Sequence, residues 1–237
     1  MIQTEGIFVS GSAISAPIIG EDFNWSGGDG TYQVLDDGGG NWRIKFLSSG
    51  TFTPLKDMVI DAFLVGGGGA SAGNYCGYGG AGYTTTVRSV VLTANTAYSI
   101  VVGAAGTNGN PSSAGGETTA FTASAAGGKN TSNGTSSSKR PGGAGGSGGA
   151  GYVSPVATTT GGTDGGDGTS SATTGGKGQG TTTREFGEAD GTLYASGGGS
   201  NLTATVSNSG NGGRNGITSI EPADGIVVIR QHKEVAA

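Results

Sequence analysis

Histidine and cysteine are nearly missing: the 237 residues hold one of each, His232 and Cys76. A single cysteine excludes an intramolecular disulfide and any zinc site built on cysteine pairs. The single histidine sits in a charged tail beside Lys233 and Glu234. No Ser, Thr or Cys therefore has the neighbouring base that nucleophilic catalysis needs, and no enzyme activity is expected. Charge is scarce as well, at 12% of residues with a formal net charge of -5. That balance excludes the broad basic surface that grips a phosphate backbone, so nucleic acid is not an expected partner. No apolar run approaches the ~20 residues of a membrane-spanning helix. Residues 1–20 lack a basic start and carry Glu5, so they do not read as a signal peptide. The expectation is a soluble protein made in a cytosol, without membrane insertion. Strong helix formers are also sparse, while Thr, Ser, Val and Ile are common, which argues for strands and turns. Apolar residues make up 33%, so any core must be small for this length.

What the chain has in excess is glycine: 53 residues, about three times the usual ~7% share. The stretch at 142–150 reads Gly-Gly-Ala-Gly-Gly-Ser-Gly-Gly-Ala, and glycine pairs or triplets return at 161–162, 165–166, 175–176, 197–199 and 212–213. A polyproline-II-type helix has about three residues per turn. A Gly-Gly-X triplet therefore places every X on one edge and leaves two bare edges for lateral backbone hydrogen bonds. Two readings follow, a packed bundle of such helices or a disordered Gly/Ser/Thr linker. A lone glycine strand cannot hold itself, because ordering costs ~1–2 kcal/mol per residue. A bundle anchored at its ends can.

The anchors are strand-like segments. Residues 31–35 precede an Asp-Asp-Gly-Gly-Gly turn, and in 42–46 Trp42, Ile44 and Phe46 alternate with Arg43 and Lys45. Further strands are expected at 51–54, 58–65, 83–92, 97–102, 117–123 and 225–230. Residues 83–92 and 97–102 flank a Thr-Ala-Asn-Thr turn and are expected to form a hairpin. The last strand returns from far away in sequence and pins both ends of the glycine segment to one platform. The fold class expected is all-β with almost no α-helix: a β-sandwich platform, of jelly-roll or TNF-like type, carrying a glycine-rich insertion folded as a polyglycine-II bundle. Residues 1–29 read as an N-terminal arm and 30–237 as the glycine-rich domain, with the insertion at about 125–216. For residues 1–21 an extended docking arm and an ordinary edge strand are equally open.

Three motifs suggest ligands. Gly67-x-Gly69-x-x-Ala72 after a strand has the spacing of a dinucleotide fingerprint. That motif needs a helix to aim its N-terminus at the pyrophosphate, and Asn74-Tyr75-Cys76-Gly77-Tyr78-Gly79-Gly80 cannot be one. No Gly-Lys-Ser/Thr follows any glycine run, so there is no P-loop, and no cofactor is expected. Asp164 and Asp167 in a glycine turn have the flavour of a calcium loop, but a calcium β-roll needs repeated copies and only one exists. The two aspartates read as turn formers, and no metal is expected. Glu185 and Glu188 could serve as acid and base; pairing with Arg184 is the plainer reading.

Four passages together frame about 42–230. They are 42–53 (Trp-Arg-Ile-Lys-Phe-Leu-Ser-Ser-Gly-Thr-Phe-Thr), 59–69 (Val-Ile-Asp-Ala-Phe-Leu-Val and four glycines), 183–194 (Thr-Arg-Glu-Phe-Gly-Glu-Ala-Asp-Gly-Thr-Leu-Tyr) and 225–230 (Gly-Ile-Val-Val-Ile-Arg). The combination resembles the glycine-rich domain of bacteriophage and prophage tail-fibre or tail-tip proteins. The resemblance implies a virion protein at a distal fibre or tip, commonly a homotrimer, that binds a bacterial surface receptor, sugar or protein. It also implies loops between glycine helices as the receptor contacts. A purely structural virion part, such as a head fibre or baseplate decoration, is the alternative. Candidate contacts are Tyr75 and Tyr78 in the first glycine loop, Lys139, Arg140, Tyr152, Asn201 and Asn208. Each tyrosine has a second reading as cover for the bundle flank, while Trp25 and Trp42 read as platform residues. The N-terminal arm is the expected attachment to other virion proteins.

Overall fold

The computed structural model describes residues 16–73, 76–132, 140–152, 159–169, 175–214 and 219–231. The described chain is all-β. Its strands are β1 (Phe23–Trp25), β2 (Tyr32–Gly38), β3 (Asn41–Phe46), β4 (Gly50–Pro54), β5 (Met58–Val65), β6 (Thr84–Leu92), β7 (Tyr98–Val101), β8 (Thr118–Ala120), β9 (Ala123–Ala125) and β10 (Ile226–Gln231). Among the described residues the one helical element is a single 3-10 turn at Glu185–Gly187. Two five-stranded sheets form, in the orders β1-β4-β7-β8-β9 and β2-β3-β10-β5-β6, with antiparallel pairing throughout.

The alternation in each strand explains the sandwich. Trp42, Ile44 and Phe46 of β3, Ile60, Ala62 and Leu64 of β5, and Val227 and Ile229 of β10 turn to one core. Phe23, Trp25, Phe52, Ile100 and Phe121 enter it from the other sheet. Phe52 holds three rings around itself, Phe23 and Phe46 at 5.5 Å and Phe121 at 6.4 Å. Both tryptophans are platform residues, as their patterns predict. Strand β10 lies between β3 and β5, so the centre of the second sheet is the last element of the domain to be synthesised.

Three details depart from the sequence reading. Strands β6 and β7 do not form a hairpin: β6 pairs with β5, and β7 crosses to the other sheet between β4 and β8. The turn between them is tied to the neighbouring crossover instead. The amide of Ala94 donates to the Asp57 carboxylate and that of Asn95 to the Pro54 carbonyl, each at 2.7 Å. The expected strand at 117–123 is two short strands, because Phe121 and Thr122 both adopt positive φ and reverse the chain. Non-glycine residues seldom do so, which hides this turn from the sequence. Residues 23–25 of the presumed arm are an edge strand, with Phe23 fully buried.

Beyond the strand ends the glycine segments build a lattice. Its signature is the register of residues 78–83. The amides of Tyr78 and Ala81 donate to Ala150 and Ser147, those of Gly79 and Gly82 to Gly213 and Gly210, and those of Gly80 and Tyr83 to Lys129 and Ala126. Every third residue thus faces the same neighbour, the period of a helix with about three residues per turn. The carbonyls of the same segment accept from 66–69, from 143–146 and from Gly198. Six segments therefore surround it. Such contact tolerates no side chain: a Cβ on Gly80 would overlap the carbonyls of Ala144 and Gly143. The lattice also takes in 66–72, 78–83 and 103–116, outside the 125–216 range suggested by the densest glycine runs. These segments are only partly glycine, with Ala70, Ala72 and Ala81 at the X positions, so their density understates them.

We expect Gly80→Ala to destabilise the protein by about 3 kcal/mol, since surrounding backbone cannot give way as a side chain can. In thermal denaturation this is a fall of roughly 6–12 °C. Ala144→Gly, which only bares an X position, should cost about 1 kcal/mol or less.

Candidate functional site

Lattice segments leave the sandwich at Val65, Val101 and Ala125 and re-enter it at Thr84, Thr118 and Ile226, so all begin from one end of the platform. Their far ends carry three of the candidate residues, Tyr78, Arg140 and Tyr152. Arg140 and Tyr152 form an antiparallel bridge, with the Tyr152 amide donating to Arg140 at 2.9 Å. Tyr78 lies one step away, donating to Ala150 and accepting from Gly143. The sequence did not single out Arg214, but it follows Gly213, whose carbonyl takes the Gly79 amide, and its guanidinium donates to Gly199 at 3.4 Å. Cys76 is buried nearby with its thiol donating to Gly73. Tyr78, Arg140 and Tyr152 are therefore brought together, with Arg214 and Cys76 added. Only the lateral register could reveal those two, because nothing in the local sequence marks them.

Electrostatics bind this group. Burial pushes the Tyr78 phenol up, while the Arg214 charge pulls the other way. Burial also raises the Cys76 thiol, against hydrogen bonding from Ser71 and Ala72 and the field of Arg140. The Arg140 Nε is buried and has no hydrogen-bond partner among the described residues. Burying such a donor without a partner costs about 1–3 kcal/mol.

The other candidates are placed differently. Tyr75 and Lys139 lie outside the described residues. Asn201 accepts from the Gly161 amide at 2.9 Å and so staples two lattice segments. Asn208 sits at the platform end, donating to the carbonyls of Leu47 and Gly225 at 2.8 and 2.9 Å. The fingerprint-like glycines are interior lattice positions, with Gly67 donating to Gly116 and Gly69 to Gly80. Asp164 takes hydrogen bonds from Thr182 and Thr183 and pairs with Arg184 at 3.4 Å, while Asp167 pairs with Lys177 and caps Gly178.

A second polar region covers the outer face of the β2-β3-β10-β5-β6 sheet. Residues 183–195 fold over Phe63, Val65, Ile226 and Val228, inserting Phe186 and Tyr194. Glu185 is 2% exposed and pairs with Arg43 at 2.8 Å and Lys45 at 4.0 Å. Glu188 and Asp61 both hold Arg230, whose guanidinium stacks 4.1 Å over Phe186. The acids at 185 and 188 thus pair with strand cations, and Arg184 is engaged elsewhere. A cleft of about 370 Å³ lies beside them, lined by Asp37, Arg43, Asp190 and Thr192 among others. Asp37 and Glu185 pair with Arg43, and Glu188 with Arg230, the arrangement of a clamp that fixes the covering segment.

The comparison with known families is decisive at one level. A family model described as a glycine-rich domain matches residues 47–230, well over half of the chain. The chain belongs to the glycine-rich domain family. No curated protein matches it. The matched span of this glycine-rich domain begins just after β3 and ends within β10, so it takes in the lattice and most of the platform.

Alkaline titration tests the two buried phenols. Burial, with the Glu185 charge second, pushes Tyr194 above the ordinary tyrosine range, and burial pushes Tyr78 the same way. A raised folded value favours the neutral form. Each phenol therefore stabilises the fold below its unfolded value near ~10, a contribution lost as pH climbs through the folded value. Absorbance of phenolate should show these two ionising last, and Tyr194→Phe should remove one late step.

Proposed function

We propose that the protein is a bacteriophage or prophage virion component, an adhesin of a distal tail fibre or tip that binds a host-cell surface receptor. The observation that carries this reading is a division within the lattice. The side-chain-poor segment 78–83 is bonded laterally to six neighbours, and the far ends of such segments bring Tyr78, Arg140 and Tyr152 together. A mount fixed on all sides resists bending, and loop length at its tip costs little, ~0.6 kcal/mol per doubling. Loops can then vary in sequence without disturbing the scaffold, which suits a surface that must match a receptor. The resemblance to tail-fibre and tail-tip proteins supplies the virion context and the homotrimer. Attachment to other virion proteins belongs to the N-terminal arm ahead of the edge strand Phe23–Trp25.

Purified protein should bind host cells, and exchanging loops 129–141 and 152–160 for those of a relative with another host should cut that binding at least tenfold while melting is unchanged. Binding that survives both exchanges, or no binding at all, would favour a purely structural virion part. Deletion of residues 1–15 should release the protein from particles with the sandwich intact. Extending the deletion to residue 25 should unfold it, since Phe23 and Trp25 belong to the core and Asp22 pairs with Lys56 at 2.6 Å.

A further inference from the structure

The far end of the lattice differs in charge from the rest of this acidic chain. No Asp or Glu occurs in 62–116, 118–163, 168–184 or 191–220. Those stretches supply most of the lattice and nearly all of its far loops. Asp164 and Asp167 are already paired with Arg184 and Lys177. Glu221, on the exposed return segment after Arg214, is the acid nearest the far-end group by register. Against this, Arg140 and Arg214 come to one level of the lattice through the bonds of Tyr152 to Arg140 and Gly79 to Gly213. Tyr78 and Arg214 both lie against 198–199: a Cβ on Gly198 would stand 3.0 Å from the Tyr78 Cβ, and Arg214 donates to Gly199. Arg140 is half-buried: its Nε is buried with no partner among the described residues, so a ligand meets the outer part of this side chain and not the Nε.

The composition of this end also selects the ligand. Among the described residues the exposed large apolar ones are Ile18, Ile19, Val59, Val91, Val101, Leu193 and Val206, and none belongs to this group. A protein partner would normally seat an apolar or aromatic anchor in a dry pocket. Thr, Ser and Asn dominate here instead, and Asn130 and Ser112 line a shallow hollow of about 330 Å³ beside Thr131. Hydroxyls and amides match sugar hydroxyls, tyrosine rings offer flat apolar faces, and guanidinium forks take phosphate or carboxylate. We propose that the far end binds an anionic surface glycan, its phosphate or uronate carboxylate held by Arg140 and Arg214 and its sugar rings set against Tyr78 and Tyr152. This inference rests on the adhesin reading and names its receptor class.

The test is direct binding of the full chain to immobilised oligosaccharides of equal length that are phosphorylated, uronate-bearing or neutral, with an acidic peptide as a fourth probe. An anionic glycan should bind at least about tenfold tighter than the neutral one, and more weakly as salt is raised from low to physiological strength. Preference between phosphate and uronate identifies the source of the charge. Arg214→Gln should weaken binding about tenfold with unchanged melting, and Arg214→Lys should recover part of it. Arg140→Gln is measured with its melting curve, because that side chain is partly buried; the salt series on the unaltered chain needs no variant. Equal binding to the neutral glycan, insensitivity to salt, an unaffected Arg214→Gln, or preference for the peptide would overturn the proposal. If Arg214→Gln binds host cells as the unaltered chain does, the glycan assignment falls and the adhesin reading stands. If the unaltered chain binds neither cells nor glycans, both fall.

Discussion

Everything in this protein depends on backbone amides meeting backbone carbonyls sideways, with no side chain between them. In a sheet each strand satisfies its polar groups in two directions; in the glycine lattice the central segment 78–83 does so in six. The pattern at 78–83, where every third amide returns to the same neighbour, requires helical segments that touch along their length. Contact that close is available only to glycine, and the carbonyls of Ala144 and Gly143 against Gly80 show why. A net gain of ~0.5–1.5 kcal/mol per hydrogen bond barely matches the ~1–2 kcal/mol that ordering a residue costs. Lateral bonding alone therefore leaves the lattice marginal. It must begin from chain that is already fixed.

The sandwich supplies those fixed starts, and the second sheet is the joint. Strand β5 runs without a break into 66–72, β6 follows 78–83, and β10 follows 223–225, so three neighbouring strands each grip a lattice segment. Both faces of this sheet are covered. One carries the aromatic core, and the other carries Phe63, Val65, Ile226 and Val228 beneath Phe186, Tyr194, Ala81 and Ala195. Arg43 and Arg230 stand directly opposite each other on β3 and β10, a repulsive pair unless carboxylates intervene. Glu185 and Asp37 take one, Glu188 and Asp61 the other. The covering segment is thus held by the charges that its absence would leave in conflict.

Much of this was readable from sequence because β-strands announce themselves by alternation. Trp42, Ile44 and Phe46 mark β3, and the apolar run ending at Val65 marks a strand buried on both faces. The return of β10 was legible from its composition and its distance. What was hidden involved contacts between residues far apart or conformations rare for their residue type. Phe121 and Thr122 at positive φ split one expected strand into two, and β7 crossed between sheets because β4 offered it an edge. Of the far-end group, Tyr78, Arg140 and Tyr152 stood out as large side chains in a glycine sequence. Arg214 joins them through Gly213, and Asn208 leaves them because its amide reaches Leu47 and Gly225. A lattice register spans more than a hundred residues, and no local pattern encodes it.

A scaffold without side chains cannot itself recognise anything, since its polar groups are committed to one another. That commitment is what makes the tips useful. Where a segment turns back, lateral neighbours run out and side chains become possible again, so chemistry concentrates at the ends by geometric necessity. Arg140 and Tyr152 stand opposite each other at the open ends of the run 141–151, whose own reversal at 145–147 is buried beside Ala81 and Gly82. The same logic explains why a chain with so few charges retains cations at this end: interior positions exclude long side chains, and loop positions are the places left for them. Rigidity is carried by the glycines, and under the proposed function recognition falls to the residues that interrupt them.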